Sequence, residues 1–586
     1  MKTVFKCGLR LFKRQLSRFF TILIIVVVSI GFMAGIGEVD SKISIAVNDY
    51  YKSQNIADLY IKSSNNFGFN AGEVEWISDT FGANNILKSF CYEYKEENDV
   101  VRLYNFDVLT NINKLEIVEG EYPKSDREIL VERKTSKLNS KNVGEKVSIQ
   151  GQEYTVCGVV LNPMLINQIE EPSFRYQDEN LSSVYYINSA PIMVNDIYVS
   201  IEDREVFSDY SEDYKKTIED LKGLVESNIS DCSVLTLYEN LGLYVLSMYA
   251  NKVGTIAIIF VVFFLLITLL IVYSTMTRLL DEERAEIACM KTLGYSSGRI
   301  IGRYVWFVLI ATLIGGILSF GVGFSLTKII YSAFNLQYKM PPFPDSSNFL
   351  FYIISFGIIF VCNTLLTLFT GLKISKAKPV LLLSPKLAKS GRKILLERIP
   401  FIWDKLSFRH KSTLRNVFLF KVRFFMTVIS VIGSTVLVFA GLGLLNCSTK
   451  IVGGESLITI SSVLIVFSAV LCALVIYNLT NINISERSRE ISTLMVLGYR
   501  NGEVAGYIFR EIYIMGAIGA LFGVLFGYSF IELVFSLIEF GSVKDISWWS
   551  YVATPIITMI FCFLSTLILR KKIIKTDMNA SLKSIE

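Results

Sequence analysis

Hydrophobic and polar positions are segregated along this chain. Eight windows carry no Lys, Arg, Asp or Glu: 19–37, 253–277, 304–327, 346–372, 424–449, 456–485, 512–531 and 546–569. Each approaches or exceeds the roughly 20 residues that a helix needs to cross a hydrocarbon core of about 30 Å. The pattern predicts eight transmembrane helices. Between the first two windows the pattern changes. Short runs suited to strands and bounded by turn residues recur at Ala57–Ile61, Val100–Tyr104, Glu128–Glu132, Lys146–Gln150, Glu153–Val160, Ser183–Ile187 and Asp196–Ile201. In Tyr210–Ser227 the spacing of Tyr214, Ile218, Leu221 and Val225 predicts a helix. Residues 38–252 therefore read as an α+β domain.

The expected organisation is a polytopic α-helical membrane protein. It runs as an N-terminus with the first span (1–37), the α+β domain (38–252), three spans (253–372), a basic linker with an in-plane helix (373–423), four more spans (424–569) and a tail (570–586). The first window follows Lys2, Lys6, Arg10, Lys13, Arg14 and Arg18, but its apolar run is long for a signal peptide and no A-x-A site follows. It reads as a retained anchor.

Composition agrees: 52% of residues are hydrophobic and 19% charged, against about 25% charged in soluble domains. A single histidine, His410, argues against histidine-based metal sites, catalytic triads and pH sensing. Segments 1–18, 278–303, 373–423, 486–511 and 570–586 hold 34 Lys and Arg against 12 Asp and Glu, and the rest of the chain holds 24 against 41. By the positive-inside rule the first set is cytoplasmic, placing both termini inside and 38–252 outside a plasma membrane. Basic segment 373–423 fits surface lipid better than nucleic acid. The acidic surplus of 38–252 fits either a cationic ligand or a plain solvated surface. Cys91, Cys157 and Cys232 within it are expected to be free thiols. No span centre carries charge, which disfavours an ion-coupled transporter. Asn363 reads as a polar contact between helices, and Gly31, Gly35, Gly315, Gly316, Gly321, Gly323, Gly516, Gly519, Gly523 and Gly527 as close-packing positions.

The most specific feature is a repeat offset by 204 residues. Glu282, Glu286, Ile287, Leu293, Gly294 and Tyr295 map onto Glu486, Glu490, Ile491, Leu497, Gly498 and Tyr499. Each copy predicts a short helix that rigidly continues the preceding span (281–294 and 485–498). Its glutamates lie four apart on one face, beside an apolar ridge of Ile287, Met290 and Leu293, or Ile491, Leu494 and Leu497. Gly294 and Gly498 suit a left-handed C-terminal cap. Such a helix can dock into another protein, and its acidic side chains fit anionic headgroups poorly.

The twofold glutamate-rich helix ending in Leu-Gly-Tyr, with a domain after the first span, resembles the FtsX/MacB-type permeases of ABC transporters. Gly120–Pro123, Arg127–Val131, Gly144–Val147 and Tyr154–Val159 are similar to the strands of the MacB-type periplasmic domain. Arg415–Phe418, Lys421–Arg423, Asn478–Arg487 and Met578–Glu586 are similar to the second half of the two-module permeases of Gram-positive bacteria. The resemblance implies two four-helix modules. It also implies coupling helices that dock on a separate ATPase subunit, expected as a dimer, through Glu282, Glu286, Ile287, Leu293 and Gly294 and through Glu486, Glu490, Ile491, Leu497 and Gly498. The second module has only residues 447–455 between its first two spans, so it lacks an external domain of its own. No G-x-x-x-x-G-K-[ST] motif occurs, so no phosphate-cradling loop is expected on this chain and ATP is expected on the partner subunit; with no metal-ligand spacing in the outer domain, no metal or other cofactor is expected either. The expected function is a permease subunit that expels or extracts an amphipathic substrate (antimicrobial peptide, lipid or lipopeptide) by mechanotransmission. The alternative is a non-transporting complex regulating a cell-wall hydrolase or a stress response. Membrane lipid is an expected partner, and a second permease or an external protein or peptide ligand is left open.

Overall fold

Uninterrupted apolar stretches leave the backbone no polar partner but itself, and in lipid that means helix. The computed structural model describes residues 10–574 except 97–98, 135–137, 150, 166–171, 177–178, 202–211, 337, 345–348, 384–396, 398–402, 404–406, 420 and 451–454. The chain divides into two compact units: residues 1–38, 253–330 and 348–586 form one, and residues 39–252 with 331–347 form the other.

The first unit is helical. Its helices are α1 (Leu16–Gly37), the body of α5 (Leu241–Glu282), α6 (Arg284–Thr292), α7 (Ser297–Phe334), α8 (Leu350–Ser375), α9 (Pro379–Leu383), α10 (Phe408–Leu419), α11 (Lys421–Ser448), α12 (Glu455–Glu486), α13 (Ser488–Val496), α14 (Asn501–Ile538) and α15 (Trp548–Ile574). Eight of the described helices, α1, α5, α7, α8, α11, α12, α14 and α15, are long and apolar enough to cross a membrane. The repeat is carried into the fold: α7 and α14 begin and end at residues offset by 204, as do α6 and α13.

Glycines set the closest helix contacts. A Cβ on Gly31 would come within 2.8 Å of Val322, and one on Gly35 within 2.8 Å of the Gly323 carbonyl, so α1 lies hard against α7. A Cβ on Gly519 or Gly523 would meet Val431 at 2.7 Å or Thr435 at 2.5 Å, which places α11 against α14 in the same way. One expectation fails: Gly321 faces open space. Hydroxyls and amides bridge helices where no water is available: Ser29 with Thr268 at 2.6 Å, Asn478 to Thr275 at 3.0 Å, and Asn363 to Thr312 at 3.4 Å.

The second unit contains α2 (Val39–Ser53), α3 (Ala71–Phe81), α4 (Glu212–Asn228) and ten strands: β1 (Leu59–Ser63), β2 (Ile86–Glu96), β3 (Asp99–Phe106), β4 (Glu116–Gly120), β5 (Glu128–Glu132), β6 (Lys146–Ile149), β7 (Gln152–Leu161), β8 (Ser183–Asn188), β9 (Asp196–Val199) and β10 (Cys232–Thr236). They form one mixed sheet in the order β10-β1-β9-β2-β3-β8-β5-β7-β4, with β6 on β7. The β3–β8 and β5–β7 pairs are parallel and the rest antiparallel. Helices α3 and α4 cover one end, with Ile77, Tyr214, Ile218 and Val225 packed on Leu59, Ile61 and Ile197. Cys91, Cys157 and Cys232 are free thiols.

The loop after α7 belongs to this unit. Lys339, buried, forms an ion pair with Glu132, also buried at the end of β5. Glu132 further accepts hydrogen bonds from the Tyr186 hydroxyl at 2.7 Å and the Asn162 amide at 3.2 Å. The chain thus passes between the two units four times.

Candidate docking site

Helix α5 ends at Glu282, Glu283 forms a turn, and α6 starts at Arg284. Helix α12 ends at Glu486, Arg487 forms the same turn, and α13 starts at Ser488. The short helices are therefore separate elements and do not continue the spans. Glu282 and Glu486 close the long helices, whereas Glu286 and Glu490 stand in the first turns of the short ones.

Both copies end alike. The Tyr295 amide donates to the Met290 carbonyl at 3.1 Å and the Gly294 amide to Lys291 at 3.1 Å. The Tyr499 amide donates to Leu494 at 3.1 Å and the Gly498 amide to Met495 at 3.0 Å. Gly294 and Gly498 have φ of +83° and +90°. This is the Schellman arrangement, which satisfies the last carbonyls by bringing one residue into the left-handed region.

The apolar ridge is divided between core and surface. Ile287 and Ile491 are buried, Ile287 with Met276, Tyr304 and Phe307, and Ile491 with Ile484, Ile508 and Phe509. They brace the helices from within and are not presented outward, which corrects the expected ridge. Leu293 and Leu497 remain 70% and 69% exposed, joined in the second copy by Val496 and Tyr499.

The glutamates are already engaged within the chain. Glu282 pairs with Arg18, Glu283 with Arg14, and Glu286 with Arg303 and, at 3.3 Å, with Arg14. Burial pushes the Glu283 carboxyl up from the ordinary range. Burial acts the same way on Glu286, but the hydrogen bonds with Arg303 and Glu283 and the charges of Arg303 and Arg14 together outweigh it and hold that carboxyl low. In the second copy the buried Arg487 pairs with Glu490 at 2.6 Å and with buried Glu511 at 2.7 Å. The side chain of Glu486 lies outside the described residues. Sequence reasoning overlooked the partner arginines, because Arg14 and Arg18 lie more than 260 positions from the glutamates they bind.

The first short helix is also strapped to the end of α8 and the chain that follows it. Lys291 donates to the carbonyls of Ser375 and Ala377 at 2.6 and 2.8 Å, and Arg284 to those of Leu382 and Leu381 at 2.9 and 2.6 Å, so two cations cap the exit of α8 and α9. In the second copy the corresponding tie comes from α14, where the Tyr507 hydroxyl bonds Ser412 at 3.0 Å and Asn416 at 2.6 Å on α10. What the two copies share at the surface is a rigid, capped helix end carrying an exposed leucine. Among the described residues no group of His, Cys, Asp and Glu could hold a metal ion.

No curated protein matches the chain. The family model described as FtsX-like permease C-terminal matches twice, over residues 258–379 and 462–578, and the two matches open at residues offset by 204. Each match contains one short helix with its left-handed glycine. The chain is therefore similar, in both halves, to the C-terminal domain of FtsX-like permeases, which supports a transmembrane subunit of an ABC transporter.

Proposed function

We propose that this chain is a two-module permease of the FtsX/MacB type whose short helices α6 and α13 dock on a separate ATPase dimer. In this reading the ATPase cycle tilts the spans and moves the sheet domain, which expels or extracts an amphipathic substrate from the outer leaflet. The observation that carries the proposal is the repeated construction itself. After a long apolar helix the chain breaks, forms nine helical residues, and stops at a left-handed glycine with an exposed leucine beside it. An apolar residue held rigidly at a capped helix end suits insertion into a partner's groove. The excess of Lys and Arg over the whole set of segments to which both helices belong, 34 against 12 acids, favours a cytoplasmic position for them and an outer position for the sheet domain.

The internal ion pairs refine the docking chemistry. Glu282, Glu286 and Glu490 act as buttresses that fix each short helix, while Leu293 and Leu497 are the anchors, with Gly294 and Gly498 setting their direction. Replacing Leu293→Glu and Leu497→Glu together should abolish co-purification of the ATPase while membrane insertion and the size-exclusion profile stay unchanged. Undiminished co-purification would refute the docking role.

A second reading gives the sheet domain a receptor or activator role without transport. It draws on Phe67 and Ile192, which are 80% and 101% exposed on loops joined by the Phe69-to-Val194 hydrogen bond. Capture of a wall hydrolase dependent on Phe67 would favour it, and protection of cells from toxic amphipathic peptides would favour transport.

A further inference from the structure

Two seams in the helical unit are related by the repeat: α7 against α12, and α14 against α5. The second is sealed. Phe530 on α14 meets Phe263 on α5 with ring centroids 4.0 Å apart, and Phe260 at 5.7 Å. At the first seam several facing positions are smaller, while Ser325, Thr459, Val466 and Phe467 match Ser529, Thr255, Val262 and Phe263. Leu326 stands where the sealed seam has Phe530, Gly321 where it has Leu525, and Ser462 where it has Ile258. Phe467, the counterpart of Phe263, lies against Phe32 with centroids 5.4 Å apart. The result is an open groove of about 530 Å3, lined by Gly321, Ser325 and Ile329 on α7 and by Thr459, Ser462 and Val466 on α12.

We propose that this groove binds one acyl chain of a bilayer phospholipid. Its volume lies within the roughly 300–1,000 Å3 of ligand pockets. From Gly321 to Ile329 the helix rises about 12 Å at 1.5 Å per residue, close to the roughly 15 Å depth of one leaflet's hydrocarbon. No charged side chain lines the groove, so it suits a hydrocarbon chain and offers nothing to a headgroup along its length. The two helices that form it carry further exposed apolar residues, Leu318 and Phe324 on α7 and Val470 on α12. Small residues in lipid ordinarily let helices approach each other. Here Gly321 meets nothing within 4 Å, whereas Gly323, two residues on, lies under α1. A gap between membrane helices without a filling atom forfeits its dispersion contacts, and the surrounding acyl chains are what restores them. At the Ile329 end, exposed Lys328 stands where an anionic headgroup would lie. The inference depends on the chain spanning a membrane and not on any ATPase.

The test uses the full chain in nanodiscs containing phosphatidylglycerol with a diazirine in one acyl chain, with cross-linked peptides located by mass spectrometry. Label should concentrate on 321–329 and 459–467 over the equivalent 525–533 and 255–263. Transplanting the sealed seam (Gly321→Leu, Leu326→Phe, Ser462→Ile) should remove that excess and leave labelling of 525–533 unchanged. The single Ser462→Ile serves if the triple variant does not fold. The converse pair, Leu525→Gly with Phe530→Leu, should create excess label at the second seam. Equal labelling of both seams, or label that persists after sealing, would overturn the proposal. So would a drop in oligomeric mass on sealing, since that would make the groove a contact between copies.

Discussion

Glu283 and Arg487 hold equivalent places at the two helix breaks and carry opposite charge, and both are buried. Each position is kept by a different partner: Arg14 for the glutamate, Glu490 and Glu511 for the arginine. A buried ion is tolerated only with such compensation. Asp196, on β9, is the carboxyl with less of it. Its Oδ2 accepts a hydrogen bond from the Tyr60 hydroxyl at 3.0 Å, and burial pushes its pKa up to about 6. In the folded state it therefore binds a proton more readily than when unfolded. Its contribution to stability is full below about pH 4 and is lost as pH rises through 6. Asp196→Asn should flatten this dependence, with a relative gain on the order of 3 kcal/mol at pH 7.5 against pH 4. Denaturant midpoints of the sheet domain within the full chain, followed by hydrogen exchange, would measure it. Equal pH slopes for the two proteins would refute it. Such partnerships are illegible in the sequence because they join positions far apart along the chain, as Lys339 joins Glu132 across 207 residues.

The left-handed glycines make a sharper forecast for α6 and α13. Gly294→Ala or Gly498→Ala forces a Cβ into the left-handed region at roughly 1–2 kcal/mol. Amide exchange at residues 294–295 or 498–499 should rise about tenfold, since 1.4 kcal/mol is one decade. Gly298→Ala, in the first turn of α7 with nothing within 4 Å, should leave exchange unchanged. These caps were readable beforehand because Leu-Gly-Tyr ends an apolar period with the residue type that the geometry demands. The eight long helices were readable from charge-free length. Strands β5, β6 and β8 fall within two residues of the expected ends, and α4 also lies where its spacing put it. Strand β2 was missed because its buried face carries Ser89, Cys91 and Glu93 in place of aliphatic residues. Glu93 is held there by Arg102 at 2.7 Å, its cross-strand neighbour on β3, a pairing that shows only once the register of the hairpin is known. Gly321 was misread for a related reason: a small residue announces room, and only the facing helix decides what occupies it.

The two halves share a construction but not a set of fastenings. The first short helix and the turn before it are gripped by Arg14 from the N-terminal segment, with Arg18 holding the end of α5, while the second relies on Arg487 within its own turn. Replacing Arg14→Ala and Arg18→Ala should thus speed amide exchange in 284–292, about tenfold or more given the buried Glu283 left behind, and leave 488–496 as it was. Equal loosening of both helices would contradict this division. The sheet unit, for its part, incorporates residues 331–347 through Lys339 and Glu132. Each crossing is a covalent tether, so a nick between α7 and α8 should still leave residues 39–252 joined to the helical unit at both ends.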